Sequence, residues 1–390
     1  MSSDIDVAKL ASELVAIPSD PPRHAETGMV NFLKALFTRH GCICIEIPTV
    51  LGPGRDDLLV LGQELGDTWE NHRHGTGLLF SAHMDVVPVG ESATWEDGKV
   101  SPWIDAAGFL HGRGAVDMKG GMASFISAFL RNLDTIKKNR HALIGLLFTV
   151  DEETSLAGAS AFATSPHARL FDKAILPEPT GLRPVRGHKG VLFLRFTVRG
   201  KAAHGAVPER GVNAINLAMN MYQAIDAQFK SIRAARTHAV LGPPAMNLGM
   251  FSGGEKVNVV PDTCTFSLDR RITPGETPAG VVGEMIAAAR LRPLPPGASF
   301  SHEIINARPP YYLEDDQEFL QRICSITGTP EIMDGYTEAG IYYNDASIPT
   351  VILGPGNISG AHVANEKIAI ADLVAAERIY ARIMMDHSNE

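Results

Sequence analysis

Two short runs, residues 77–82 and 143–149, are strongly apolar and lie among segments of helical periodicity. A strand that is apolar at nearly every position is buried on both faces, and such strands occupy the centre of sheets covered by helices. These two runs therefore predict an α/β fold with a central sheet. Around them, Val7, Leu10, Ala11, Leu14 and Val15 recur at helical spacing within 4–17, which ends at Pro18. Val30, Leu33, Leu36 and Phe37 do the same within 27–40. Residues 42–47, 57–61 and 173–176 read as further strands, and 120–133 as a helix after a glycine-rich turn.

The texture changes near Gly187. Strands over 191–198, 246–251 and 263–271 and helices over 212–229 and 278–289 suggest a βαββαβ unit of small-domain size. The run Pro293-Leu294-Pro295-Pro296 reads as a hinge, after which a helix (316–327), a strand (350–353) and a last helix (370–385) resume the first pattern. The expectation is a large α/β domain, 1–186 and 298–390, with a smaller α+β domain, 187–297, inserted in it. With 390 residues there is ample chain for both.

Five acid-and-histidine clusters fall at the expected strand ends or in glycine-rich turns: His83-Met84-Asp85, Asp117, Glu152-Glu153, Glu178 and His362. Open α/β sheets place ligands at the carboxyl ends of their strands, so all five could meet at one edge. His83 and Asp85 point to the same side if the strand continues, so that His83 could bind a metal while Asp85 holds its imidazole. Asp117 could be a helix N-cap, yet the glycines around it favour unusual backbone near a site. Of Glu152 and Glu153, one can bind metal while the other serves as general base. Singly, each cluster has an ordinary structural explanation; jointly they form a nearly complete ligand set for two adjacent divalent cations plus a spare carboxylate.

Charge excludes some alternatives. Acidic residues outnumber basic ones, 44 to 35, and no basic stretch suits a nucleic-acid backbone. No apolar run approaches a membrane span, and the N-terminus lacks the pattern of a signal peptide. Cys42 and Cys44 would share one face of a strand, with too few neighbouring thiols for a metal site, so buried structural thiols are expected. Together these features predict a cytoplasmic protein without nucleic-acid or membrane partners.

The blocks SAHMDVVP, GRGAVDMKGG, TVDEETSLAG, PEPTGLRPVRGHKG, GKAAHGAVPERGVNAI, DRRITPGE and GPGNISGAHVANE, in this order, resemble the acetylornithine deacetylase and succinyl-diaminopimelate desuccinylase family of aminoacylases and carboxypeptidases. Three of its segments, TEAG, EPTGLRPVRGHKG and GPGNISGAH, look closest to acetylornithine deacetylases. The resemblance implies a zinc-exopeptidase-like domain with a central mixed sheet and two Zn2+ ions, for which Co2+ can substitute. His83 and Glu178 would hold one ion, Glu153 and His362 the other, and Asp117 would bridge them. Asp85 would support His83, and Glu152 would act as general base on a metal-bound water. The inserted domain would form a homodimer, with His204 reaching the partner's site to stabilise the oxyanion. Arg271 and Asn258 would grip the substrate carboxylate, although Arg271 could instead pair with Asp269 and His204 could be an exposed loop residue. His188, Lys189 and Glu338 match positions near the family's substrate pocket. Met84 and Pro177 depart from the family's usual residues without removing a ligand. The implied reaction is hydrolysis of a small N-acyl amino acid; a desuccinylase, a dipeptidase or carboxypeptidase, or a non-catalytic binding protein are the alternatives.

Overall fold

The computed structural model describes residues 5–62, 77–139 and 142–388. Asp4, the first residue of the expected N-terminal helix, and the three residues before it lie outside them. The chain divides into two compact units. One takes in Met1–Arg186, Leu313–Glu331 and Thr337–Glu390, and the other Gly187–Tyr312 with Ile332–Tyr336.

The first unit is built on a mixed sheet. Its strand order is Ile43–Ile47, Asp57–Leu61, Leu143–Thr149, Gly77–His83, Lys173–Leu176, Thr350–Ile352 and Val185–His188. The four strands from Leu143–Thr149 to Thr350–Ile352 run parallel. Leu143–Thr149 and Gly77–His83 are buried at every position, as their apolar sequences demand. Each fully buried Leu or Phe contributes about 1.5–3 kcal/mol. Phe80 meets Phe125 at 5.9 Å and Tyr380 at 5.5 Å between ring centroids, which ties the sheet to the helices Lys119–Arg131 and Ile370–Ser388. The N-terminal helix Val7–Val15 packs on Lys119–Arg131, its start capped by Asp6, which accepts the Ala8 N–H at 2.9 Å. Parallel strands point their carboxyl ends the same way, so the residues following His83, Thr149, Leu176 and Ile352 emerge at one edge.

Close approach at that edge depends on glycine. A Cβ on Gly121, in the first turn of the helix Lys119–Arg131, would sit 2.4 Å from the Pro177 carbonyl oxygen. On Gly354 it would meet the carbonyl oxygens of Pro177 and Glu178 at 2.2 and 2.4 Å. These two glycines let the helix and the loop after Thr350–Ile352 crowd against the Pro177–Glu178 backbone.

The second unit is a four-stranded antiparallel sheet in the order Ala245–Gly253, Thr263–Ile272, Gly190–Arg199, Ser299–Arg308. The helices Ala214–Ala235 and Pro278–Arg290 complete its core with Leu192, Leu194, Phe196, Phe266 and Leu268. Thr263–Ile272 alternates partly exposed and buried positions throughout, the mark of a sheet with one covered face. The strand Ser299–Arg308 pairs along Gly190–Arg199, so the unit continues beyond 297 to Tyr312. The prolines at 293–296 consequently join a helix to a strand within this unit instead of forming a hinge at its border.

Candidate metal centre

The centre assembles on the first unit at the carboxyl ends of the parallel strands. His83 ends its strand, and its Nδ1 lies 2.9 Å from the backbone carbonyl oxygen of Asp85. A carbonyl can only accept, so Nδ1 carries the proton and Nε2 is left to face the site. That Nε2 lies 3.1 Å from Asp117 Oδ1 and 3.9 Å from Glu178 Oε1. On the other side, His362 Nε2 lies 3.2 Å from Asp117 Oδ2 and 3.0 Å from Glu153 Oε1. The two oxygens of Asp117 therefore face two different imidazoles, with one glutamate beside each.

Asp117 does not cap the helix that follows it; Met118 occupies the cap position and makes no side-chain cap. Burial opposes ionisation of Asp117, but the imidazoles of His362 and His83 outweigh it and hold the carboxyl well below the usual range. Burial also opposes the charged imidazole of His83, yet the carboxylates of Asp117, Glu178 and Glu152 push its pKa well upward. For His362 the hydrogen bonds to Asp117 and Glu153 lead, taking it to about 10. His362 adopts a left-handed backbone, φ 59°, a conformation of the kind that persists where function requires it.

Glu152 is buried and contacts neither imidazole nitrogen among the hydrogen bonds of the site. Burial, with Glu178 and Glu153 close by, drives its pKa well up, against the pull of His83. Glu178 is raised in the same way, by burial and then by Asp117. A pocket holding Asp117, Glu152, Glu153 and Glu178 around two imidazoles is electrostatically poised for cations. His83, Asp117 and Glu153 offer donor atoms all within 4.8 Å of one another. Two imidazole nitrogens and the carboxylates of Asp117, Glu153 and Glu178 are a donor set that divalent zinc accepts, so the residues present fit two such ions with Glu152 to spare.

Asp85 is placed differently from a simple imidazole partner. Its carboxylate accepts the backbone N–H of Glu152 at 3.1 Å and of Glu153 at 3.0 Å, while its nearer oxygen stands 3.7 Å from His83 Nδ1. Burial lifts its pKa to about 7 despite the attraction of His83. The other side of the Glu152–Glu153 turn is held by residues the sequence did not single out. Asp151, at φ 66°, accepts from Ser155 and from Arg55 Nη2 at 2.9 Å, and Arg55 also pairs with buried Glu26 at 2.6 Å. Asp151 was visible as the residue before Glu152; Arg55 and Glu26 lie so far away in the chain that no local signal marks them.

Glu338 is buried in the same unit, accepting from the Tyr342 hydroxyl at 3.1 Å, which in turn meets Ser81 Oγ at 2.8 Å. Burial raises its carboxyl. In the second unit, His204 is exposed on a two-residue strand and its Nδ1 accepts the Ala206 N–H at 3.1 Å. It pairs with Val259, and the Gly205 N–H donates to the Asn258 carbonyl at 2.8 Å, so His204 and exposed Asn258 are neighbours. Arg271 pairs with Asp269 through two contacts, 3.0 and 3.1 Å. His188 is buried against Tyr311, and burial lowers its pKa to about 4; Lys189 donates to the Pro243 carbonyl at 2.8 Å.

Residues 79–386 match the profile of peptidase family M20/M25/M40. An acetylornithine deacetylase of Klebsiella pneumoniae (strain 342) is 35% identical over 305 residues, 75% of this chain and 76% of that protein. The acetylornithine deacetylase of Yersinia pseudotuberculosis serotype O:1b (strain IP 31758) is 30% identical over 389 residues, 97% of this chain and 95% of that one. Among solved structures, an M20 family metallo-carboxypeptidase, Sso-CP2 from Sulfolobus solfataricus, aligns with a TM-score of 0.75 at 17% identity, covering 99% of this chain and all of its own (100%). At that identity the likeness concerns the fold.

Proposed function

Because the chain belongs to peptidase family M20/M25/M40, whose members hydrolyse amide bonds, we propose that it is a metal-dependent deacylase of small N-acyl amino acids. The reading favours an acetylornithine deacetylase-like activity, the name carried by relatives that span nearly its whole length. The observation that carries it is the division of Asp117, one oxygen toward His83 and Glu178, the other toward His362 and Glu153. Two Zn2+ ions, or Co2+ in their place, would supply there a polarised carbonyl and an acidified water.

In this reading Glu152 takes the proton of the attacking water and delivers it to the leaving amine. Its burial and raised pKa suit a group that must accept a proton and then return it. Desolvation of the pocket sharpens each charge interaction around the reacting carbonyl. Arg271 would bind the substrate carboxylate with its planar fork, which requires it to leave Asp269. Asn258, beside His204, would share that task.

The same reading makes the protein a homodimer through its second unit, with His204 donated to the partner's site. The exposure of His204 and Asn258 supports this, since both residues are accessible to a second chain. Among the described residues no helix is long and apolar enough to cross a membrane. We place the protein in the cytoplasm, a setting consistent with its four free cysteines.

The deciding experiment is a turnover screen on metal-free protein reloaded with Zn2+ or Co2+, using N-acetyl amino acids, N-succinyl amino acids and dipeptides. Turnover of N-acetyl substrates above the rest supports the proposal. Preference for N-succinyl substrates or dipeptides replaces it with a desuccinylase or a peptidase, and absence of metal-dependent turnover on all three overturns it. For the dimer, mixing a Glu152→Gln chain with a His204→Ala chain should regain activity that neither has alone.

A further inference from the structure

The bridging position of Asp117 depends on more than its side chain. Its backbone N–H donates to Glu366 Oε1 at 3.1 Å, and the Val116 N–H donates to the same oxygen at 2.8 Å. The second oxygen, Oε2, takes Arg113 Nη1 at 2.6 Å. The main chain of Glu366 joins in, its carbonyl accepting the Gly112 N–H at 2.9 Å. Glu366 is fully buried, so a carboxylate withheld from water is held wholly by the segment that presents Asp117.

Glu366 also stands four residues after His362, in the same loop. That loop contains two non-glycine residues at positive φ, His362 at 59° and Asn365 at 61°, and His362 itself is half exposed. A loop with such a backbone needs anchoring to hold one conformation. Arg113 supplies a second tie, from Nη1 to the Val363 carbonyl at 3.2 Å. One buried ion pair, Glu366–Arg113, therefore grips both the backbone of Asp117 and the loop that carries His362.

We propose that Glu366 is a positioning residue of the two-metal centre, fixing Asp117 and His362 at their mutual spacing so that the cation held by His362, Glu153 and Asp117 binds tightly. The proposal rests on the two-metal reading of the site. Glu366 touches neither substrate nor metal; it sets the geometry of two residues that would touch metal. Charge-assisted hydrogen bonds from backbone N–H groups to a buried carboxylate are strong and directional, which suits this task.

The test is titration of metal-free protein with Co2+, followed by absorption in the visible range and by metal content after gel filtration. Wild type, Glu366→Gln and Glu366→Ala are compared, with far-ultraviolet circular dichroism of each metal-free protein as a fold control. Wild type should take up two ions per chain. Glu366→Ala should bind the second ion at least tenfold more weakly, with an altered cobalt spectrum. Glu366→Gln keeps one acceptor oxygen for the Val116 and Asp117 N–H groups, so its loss should be smaller than that of Glu366→Ala. If Glu366→Ala does not fold, Glu366→Gln decides alone, by weakened second-ion binding and a changed spectrum. Two ions bound by the folded variants with wild-type affinity and spectrum overturn the role of Glu366 and leave the metal centre standing. Failure of wild type to bind two ions overturns the two-metal reading itself.

Discussion

The carboxylate of Asp85 accepts the backbone N–H of Glu152 at 3.1 Å, while the imidazole of His83 reaches Asp85 through the backbone carbonyl at 2.9 Å. One residue thus serves two parts of the site, its main chain setting the tautomer of His83 and its side chain holding the turn of Glu152, the proposed base. Asp85→Asn preserves the first role and impairs the second, because an amide offers one acceptor where the carboxylate offers two. Loss of a charged hydrogen bond costs about 1.5–3 kcal/mol, so kcat should fall roughly 10- to 100-fold. Metal content should stay close to wild type. Metal loss with unchanged kcat per bound metal would show that Asp85 acts through His83 instead.

Glu152→Gln removes the proposed base while keeping its size. General-base catalysis is worth about 10²- to 10⁴-fold, and a loss in that range is expected with both metal equivalents retained. Atomic absorption alongside steady-state kinetics checks both halves. Full activity in this variant would rule Glu152 out as the proton acceptor.

Arg55 joins buried Glu26 to Asp151, the residue directly before Glu152. Arg55→Met leaves the Glu26 carboxylate buried without its partner. Breaking a buried pair from one side costs roughly 3–5 kcal/mol, which should appear as a lower midpoint in urea unfolding. Since the same arginine anchors the turn that carries Glu152, the proposed base, kcat should drop as well. A stability loss without any change in kcat would confine Arg55 to the scaffold.

The metal-free centre should compete with protons for its metal. Asp117 and Glu153 raise His362 to about 10, so at neutral pH its imidazole is charged and must lose a proton before coordinating. Metal affinity should therefore increase with pH between 6 and 8, with proton release measurable by calorimetry in buffers of different ionisation enthalpy. The sign for stability is opposite. A pKa raised on folding stabilises the metal-free protein fully below the unfolded value near 6.5, and this contribution fades as pH climbs toward about 10. Affinity independent of pH across that range would contradict a protonated His362.

The sheet of the first unit was legible because its central strands, Leu143–Thr149 and Gly77–His83, are buried on both faces and must be apolar throughout. The clustering of these side chains was legible for a related reason: His83 ends such a strand, Glu152, Glu153 and Glu178 stand a few residues beyond strand ends, and parallel strands end at one edge. Ser299–Arg308 was not legible, since as an edge strand it is largely exposed and its sequence lacks a buried alternation. Nor did the sequence disclose that Asp85 holds Glu152, that Arg55 holds Asp151 or that Glu366 holds Asp117, contacts spanning 67, 96 and 249 residues. A side chain that ends a strand is placed by local periodicity, which the sequence writes out. A side chain that fixes another residue's backbone across the fold is placed by how loops pack, and only the tertiary structure decides that.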